Sequence, residues 1–174
     1  MKKAVIIIEN GVEDTEFAYP YYRVQEEGFR VDVATKGARN QAGKWGLPIV
    51  ATADSEKLNG DDYDLLVIPG GYESPDRVRQ IPRVLEVVRA FDSSQRVIAS
   101  VCHGPWVLIS AGIVRGRRMT CYPGCKDDLI NAGALYEEAS VVTDRNIVTA
   151  PHFRNNAEWM RAVLDAYQCL SPSR

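Results

Sequence analysis

Histidine is scarce in this sequence, and cysteine is nearly so: two of the first, His103 and His152, and four of the second in 174 residues. Neither has the spacing of a metal site. Cys121 and Cys125, in C-Y-P-G-C, lack the two further ligands that zinc would need, and read as structural, as does Cys169. Four cysteines are also too few for a disulfide scaffold in a chain of this length, which suits a reduced cytoplasm. Long apolar runs are missing: residues 4–8 and 65–68 fall far short of the roughly 20 that span a membrane. There is no charged-then-apolar leader, so secretion is not expected. Neither G-x-G-x-x-G nor G-x-x-x-x-G-K-[ST] occurs, so no signature marks a nucleotide cofactor. Twenty-one basic residues against twenty-three acidic ones give a net charge of −2, which argues against a nucleic-acid or anionic-membrane surface. At 45% hydrophobic, without repeats or a linker, residues 1–174 are expected to fold as one domain.

Strand-like and helix-like patterns alternate along that domain. Residues 2–8 (K-K-A-V-I-I-I) form a continuous β-branched run, expected of a strand buried on both faces. Residues 15–27 carry Phe17, Tyr21 and Val24 at helical spacing and stop at Gly28. Strands follow at 30–35, 63–69 and 96–101, with helices at 82–92 and 104–111. Residues 36–54, rich in glycine, read as a loop with a short strand near 49–51. Beyond 112, a short strand at 119–122, a short helix at 127–131, two strands within 139–150 and a helix over 156–167 complete the pattern. This predicts an α/β fold, mostly parallel, with helices on both faces. Ligands in such folds sit outside the carboxyl ends of the strands, so the loops 9–14, 70–77 and 102–105 matter most.

The strand at 96–101 runs straight into Cys102-His103-Gly104-Pro105 and a helix, the logic of a nucleophile elbow. A tight turn there lifts the thiol toward the pocket, and a helix start shifts it toward thiolate. The competing reading is a small buried apolar residue. The backbone N–H of His103, with that of Gly71, is placed to form an oxyanion hole. His152, just past residues 147–150, either faces the same pocket or is an ordinary loop histidine. In E-N-G-V-E-D-T-E, Asp14 or Thr15 reads as a helix cap, and Glu13 either solvates the helix start or reaches the elbow.

Taken together, N-G-V-E-D-T-E-F, V-I-P-G-G, A-S-V-C-H-G-P, L-I-S-A-G, R-G-R, Y-P-G-C-K-D-D and N-A-G resemble the PfpI family of intracellular cysteine peptidases. It belongs to the superfamily with the class I glutamine amidotransferase fold that includes the parkinsonism-associated protein deglycase. The resemblance spans residues 2–170 or so. It implies a flavodoxin-like three-layer sandwich with Cys102 as nucleophile and Glu13 as the acid hydrogen-bonded to its sulfur. His103 and Gly71 would frame the oxyanion, and Tyr122 would line the substrate position; residues 150–154 (A-P-H-F-R) depart from the Ser/Arg-containing segment of the family and bring His152 to the substrate position as well. It also implies a homo-oligomer, dimer or hexamer, in which an acid from a neighbouring subunit orients His103; Asp76 is the best counterpart, with Glu73 as alternative. No cofactor is implied. Substrates would be peptides or methylglyoxal-type oxoaldehydes, with a role in stress protection. A non-enzymatic redox sensor or holdase using an oxidisable Cys102 is the alternative.

Overall fold

The computed structural model describes residues 1–171. Its main sheet has seven strands: β1 (Lys3–Ile7), β2 (Arg30–Thr35), β5 (Ala53–Asp54), β6 (Leu65–Ile68), β7 (Val97–Val101), β10 (Val142–Asp144) and β11 (Ile147–Ala150), where β3 (Gln41–Ala42) and β4 (Pro48–Ile49) form a separate hairpin and β8 (Arg118–Met119) pairs with β9 (Leu135–Tyr136). The order is β10-β11-β7-β6-β1-β2-β5, parallel throughout except for β10 against β11. The helices are α1 (Asp14–Glu26), α2 (Glu73–Val78), α3 (Pro82–Ser93), α4 (Pro105–Ala111), α5 (Lys126–Asn131) and α6 (Asn156–Leu170).

Why the central strands lack hydrophobic alternation follows from where their side chains go. Val5 and Ile7 of β1, with Leu66, Ile68 and Ile98, pack beneath α3 and α4 against Val84, Val88, Phe91 and Leu108. Ala4 and Ile6, with Leu65, Val67, Val97 and Ala99, pack beneath α1 and α6 against Phe17, Val24, Trp159, Met160 and Val163. Successive residues alternate in direction, but both directions lead into a core. Each face therefore excludes water across a full layer, and the flavodoxin-like three-layer sandwich read from the sequence is the observed one. The last arginine of R-G-R is also structural. Arg117 is buried and donates to Asp92 Oδ1 (2.8 Å) and Asn146 Oδ1 (2.9 Å), fastening the β10–β11 hairpin to the end of α3.

Three segments differ from the pattern reading, one of them β9, a strand of two residues that the sequence did not suggest. The stretch after Gly71 is helical as α2, whose six residues are too few to display a periodicity. The glycine-rich segment 36–54 holds the β3–β4 hairpin, whose Gly43 bridges to Val12 at the carboxyl end of the sheet, and it closes with β5, the edge strand beside β2.

Candidate active site

Gly71 and Cys102 lie at the carboxyl ends of adjacent strands β6 and β7, which the parallel sheet brings side by side. Cys102 adopts φ +60°, an unusual conformation for a residue with a side chain, and is held there on both sides. Its N–H donates to Ala150 O (2.9 Å), and its carbonyl accepts from Tyr122 N (3.0 Å). Gly104 completes the turn, because a Cβ there would strike Ile68 O, Ser100 Oγ and Val101 O. The thiol is thereby aimed out of the strand, although only 7% of the residue is exposed.

Gly71 has φ +72°, and a Cβ on it would lie 2.5 Å from both Glu13 N and Gly11 O. Those are backbone atoms and cannot move aside. Its amide and that of His103 both stabilise the Cys102 sulfur. Gly71→Ala is therefore expected to lose stability by about 1–3 kcal/mol and most of the thiol reactivity. Thermal unfolding and an alkylation rate check the two separately.

The acid beside the sulfur is Glu16, not Glu13. Helix α1 starts at Asp14, so Glu13 sits outside it as the N-cap residue, while Glu16 in the first turn faces the sheet on the same side as Phe17, Pro20 and Val24. Glu16 is fully buried. Its Oε2 accepts from Gly70 N (2.9 Å), and its Oε1 meets no hydrogen-bond partner among the described residues. Burial raises its carboxyl to about 8, with the neighbouring Glu13 charge adding to the shift. Burial, then the Glu16 charge, push the Cys102 thiol up; the Gly71 and His103 amides pull it down. A lowered thiol pKa, expected from the helix start, is thus not what the site produces, burial being the larger of the two causes. The seven-residue α4 contributes little against burial.

Glu13 still faces the cleft. Its Oε2 accepts from the Trp45 indole (3.3 Å) and its Oε1 from the Thr15 hydroxyl (3.5 Å). Asp14 does not cap the helix; its carboxylate instead accepts from Trp45 N (2.8 Å) and Leu47 N (3.1 Å), fixing the tip of the β3–β4 hairpin over the site.

His103 Nδ1 lies 3.2 Å from Cys102 Sγ. Its ring stacks on Tyr122 (centroids 4.7 Å apart) and meets Trp106 edge-on (5.0 Å), and burial followed by the Lys44 charge lowers its pKa. The sequence left open whether adjacent side chains could pair, and here they do. On the far side of Tyr122 stands His152, at 6.1 Å, with its Nδ1 accepting from Arg154 N (3.3 Å). Both histidines of the chain, Glu13, Glu16, Cys102 and Tyr122 thus line one cleft of about 350 Å³.

Asp76 is elsewhere. It is exposed on α2, where its carboxylate meets Gln80 (3.4 Å), and Glu73 pairs with Arg77 (3.2 Å). Neither orients His103 within the chain. Cys121 and Cys125 are buried in the opposite core layer, with their thiols pushed up to about 12, as suits structural residues.

Lys44, Tyr72 and Phe153 also line the cleft, with Trp45 bonded to Glu13, and none of them was singled out in the sequence. Glu16 was legible in one respect: a carboxylate on the buried stripe of a helix needs a reason to be there.

Comparison with known proteins gives the family of the chain. The DJ-1/PfpI family model matches residues 2–166. Deglycase PH1704 of Pyrococcus horikoshii is 41% identical over 159 residues, covering 91% of this chain and 95% of that protein. Deglycase PfpI of Pyrococcus furiosus is 38% identical over the same length and coverage. Among solved structures, a two-domain protein of Anabaena variabilis with DJ-1/ThiJ/PfpI-like and ferritin-like domains superposes with a TM-score of 0.90 at 34% identity. It covers 95% of this chain, which spans about half of that protein's length (48%). A thiol on a left-handed turn, a buried acid and a histidine are thus set in a chain that belongs to the DJ-1/PfpI family.

Proposed function

We propose that the protein is a cysteine-dependent enzyme without a cofactor that acts on methylglyoxal-type oxoaldehydes and their adducts, a deglycase or glyoxalase activity suited to stress protection in a reduced cytoplasm. The observation that carries this reading is the convergence of Cys102, His103 and Glu16 in a cleft of about 350 Å³, room for a compound of a few carbons. The names of the two archaeal relatives support the deglycase side of it.

The chemistry follows from the groups present. Below about pH 8 Glu16 holds its proton, which removes its repulsion of the sulfur. The neutral carboxyl can then donate to Sγ as the thiol gives its proton to His103 on attack. The thiolate attacks the aldehyde carbon, and the resulting oxyanion lies against the Gly71 and His103 amides. For free methylglyoxal, the proton on the attacked carbon moves through an enediol to the adjacent carbon, giving a lactoyl thioester. Water then releases lactate and the thiol, so one water is consumed and no external oxidant or reductant is needed. His103, neutral because its pKa is lowered, is placed to move these protons.

Turnover should be measured with methylglyoxal, with a methylglyoxal-glycated amino acid and with a peptide panel. Carbonyl turnover with little peptide hydrolysis is expected; efficient cleavage of extended peptides alone would reassign the enzyme as a peptidase.

The shared site belongs to this proposal. Among the described residues of its own chain His103 meets no orienting carboxylate, so the carboxylate would come from a second copy, with Asp76 the candidate. Inactive Cys102→Ala and Asp76→Ala proteins, dissociated and reassembled together, are expected to regain activity. No recovery despite proven subunit exchange would refute the shared site.

A further inference from the structure

Lys44 is a cation at the rim of the cleft, and among the described residues it takes part in no ion pair. Its Nζ lies 5.1 Å from the Trp45 ring centroid and 5.9 Å from that of Tyr72, between two aromatic faces instead of beside a carboxylate. The charge is nevertheless close enough to lower the pKa values of both Glu16 and His103.

Its backbone is not free to wander. Lys44 N donates to Val12 O (2.7 Å), Gly43 N to Leu47 O (2.8 Å), and the Asp14 carboxylate holds the two amides beyond. Gly43 presses so closely on Asp14 that a Cβ would overlap the carboxylate. A hairpin tip clamped this firmly presents its one cation at a defined place over the nucleophile.

Across the cleft, His152 offers a complementary group. Because its Nδ1 accepts from Arg154 N, the neutral ring must carry its proton on Nε2, which makes it a donor. The Glu13 carboxylate, the one negative group left once Glu16 is protonated, is engaged by Trp45 and Thr15.

We infer that the cleft selects carbonyl compounds bearing an anionic group, such as a carboxylate a few atoms from the reactive carbon, with Lys44 as the specificity-determining cation. The inference rests on Cys102 being the reactive group, and it narrows the substrate class from neutral oxoaldehydes to aldehydes that bear a carboxylate and to oxoaldehyde adducts of amino acids with free carboxylates. Partial shielding by the two rings strengthens the attraction relative to a fully hydrated ammonium.

The test needs no turnover. Iodoacetate and iodoacetamide alkylate the same sulfur and differ in charge, so the ratio of their rates at Cys102 reads the local field, with the exposed Cys169 as internal reference. The ratio is expected to be higher at Cys102 than at Cys169, to fall about tenfold in Lys44→Gln, to fall further in Lys44→Glu, and to survive in Lys44→Arg. It should also shrink as salt is added. A Lys44→Gln ratio within about twofold of wild type would overturn the anion-selective cleft while leaving Cys102 as nucleophile. If instead iodoacetamide leaves Cys102 unmodified, the nucleophile reading falls and the inference with it.

Discussion

Cys102→Ser should reduce kcat/KM for methylglyoxal by at least about a thousandfold, with the fold and thermal stability nearly unchanged. Serine has nearly the shape of cysteine, so the φ +60° turn and the bonds to Ala150 and Tyr122 remain. What disappears is ionisation. A hydroxyl cannot give up its proton to the shared Glu16–His103 arrangement at neutral pH, whereas a thiol held by two amides can. Steady-state kinetics beside a circular dichroism melt separates this from misfolding. Retention of more than a tenth of the activity would mean that another group performs the attack.

The second large effect concerns Glu16 and has a pH signature. Its carboxyl titrates at about 8 in the folded protein against an ordinary value of 4.5. Between those values the folded state keeps a proton that the unfolded chain has lost, so stability must fall as pH rises. The contribution is complete below about pH 4.5 and gone above about 8, a difference of roughly 3–5 kcal/mol at the usual conversion of pKa shift to free energy. Glu16→Gln removes the ionisation while keeping an oxygen for the Gly70 amide. Its denaturation midpoint is expected to lose most of this slope between pH 5 and 8 and to exceed that of wild type at pH 9. The same substitution should cost activity about a hundredfold, since an amide cannot exchange a proton with the sulfur. Parallel slopes for the two proteins in urea melts across that range would show that Glu16 is already ionised at neutral pH.

How far the sequence foretold these features depends on the range of the interaction that creates them. The parallel core strands were legible because burial on both faces leaves continuous β-branched runs, as in K-A-V-I-I and L-L-V-I. The Cys102 turn was legible because strand, Gly104, Pro105 and helix are contiguous. Glu13 and Glu16 could be told apart only by the phase of α1. A shift of three residues moves a carboxylate by nearly a full turn along the helix, and the start of α1 decides which one lies over the β6–β7 strand ends. Lys44 was invisible for another reason. It reaches the cleft from a hairpin tip whose position depends on Asp14 binding two amides more than thirty residues away. Local patterns carry no trace of such a contact. Helix α2, with six residues and Pro75 inside it, was likewise too short to declare itself.

One titration tests the central role of Cys102 most directly. The protein is treated with increasing amounts of iodoacetamide, and residual methylglyoxal turnover is plotted against the fraction of Cys102 alkylated, determined by peptide mass spectrometry. The expected result is a straight line reaching zero activity at full modification of Cys102, while the buried Cys121 and Cys125 remain untouched and modification of Cys169 shows no correlation. Activity persisting after Cys102 is fully alkylated would contradict a Cys102-centred mechanism.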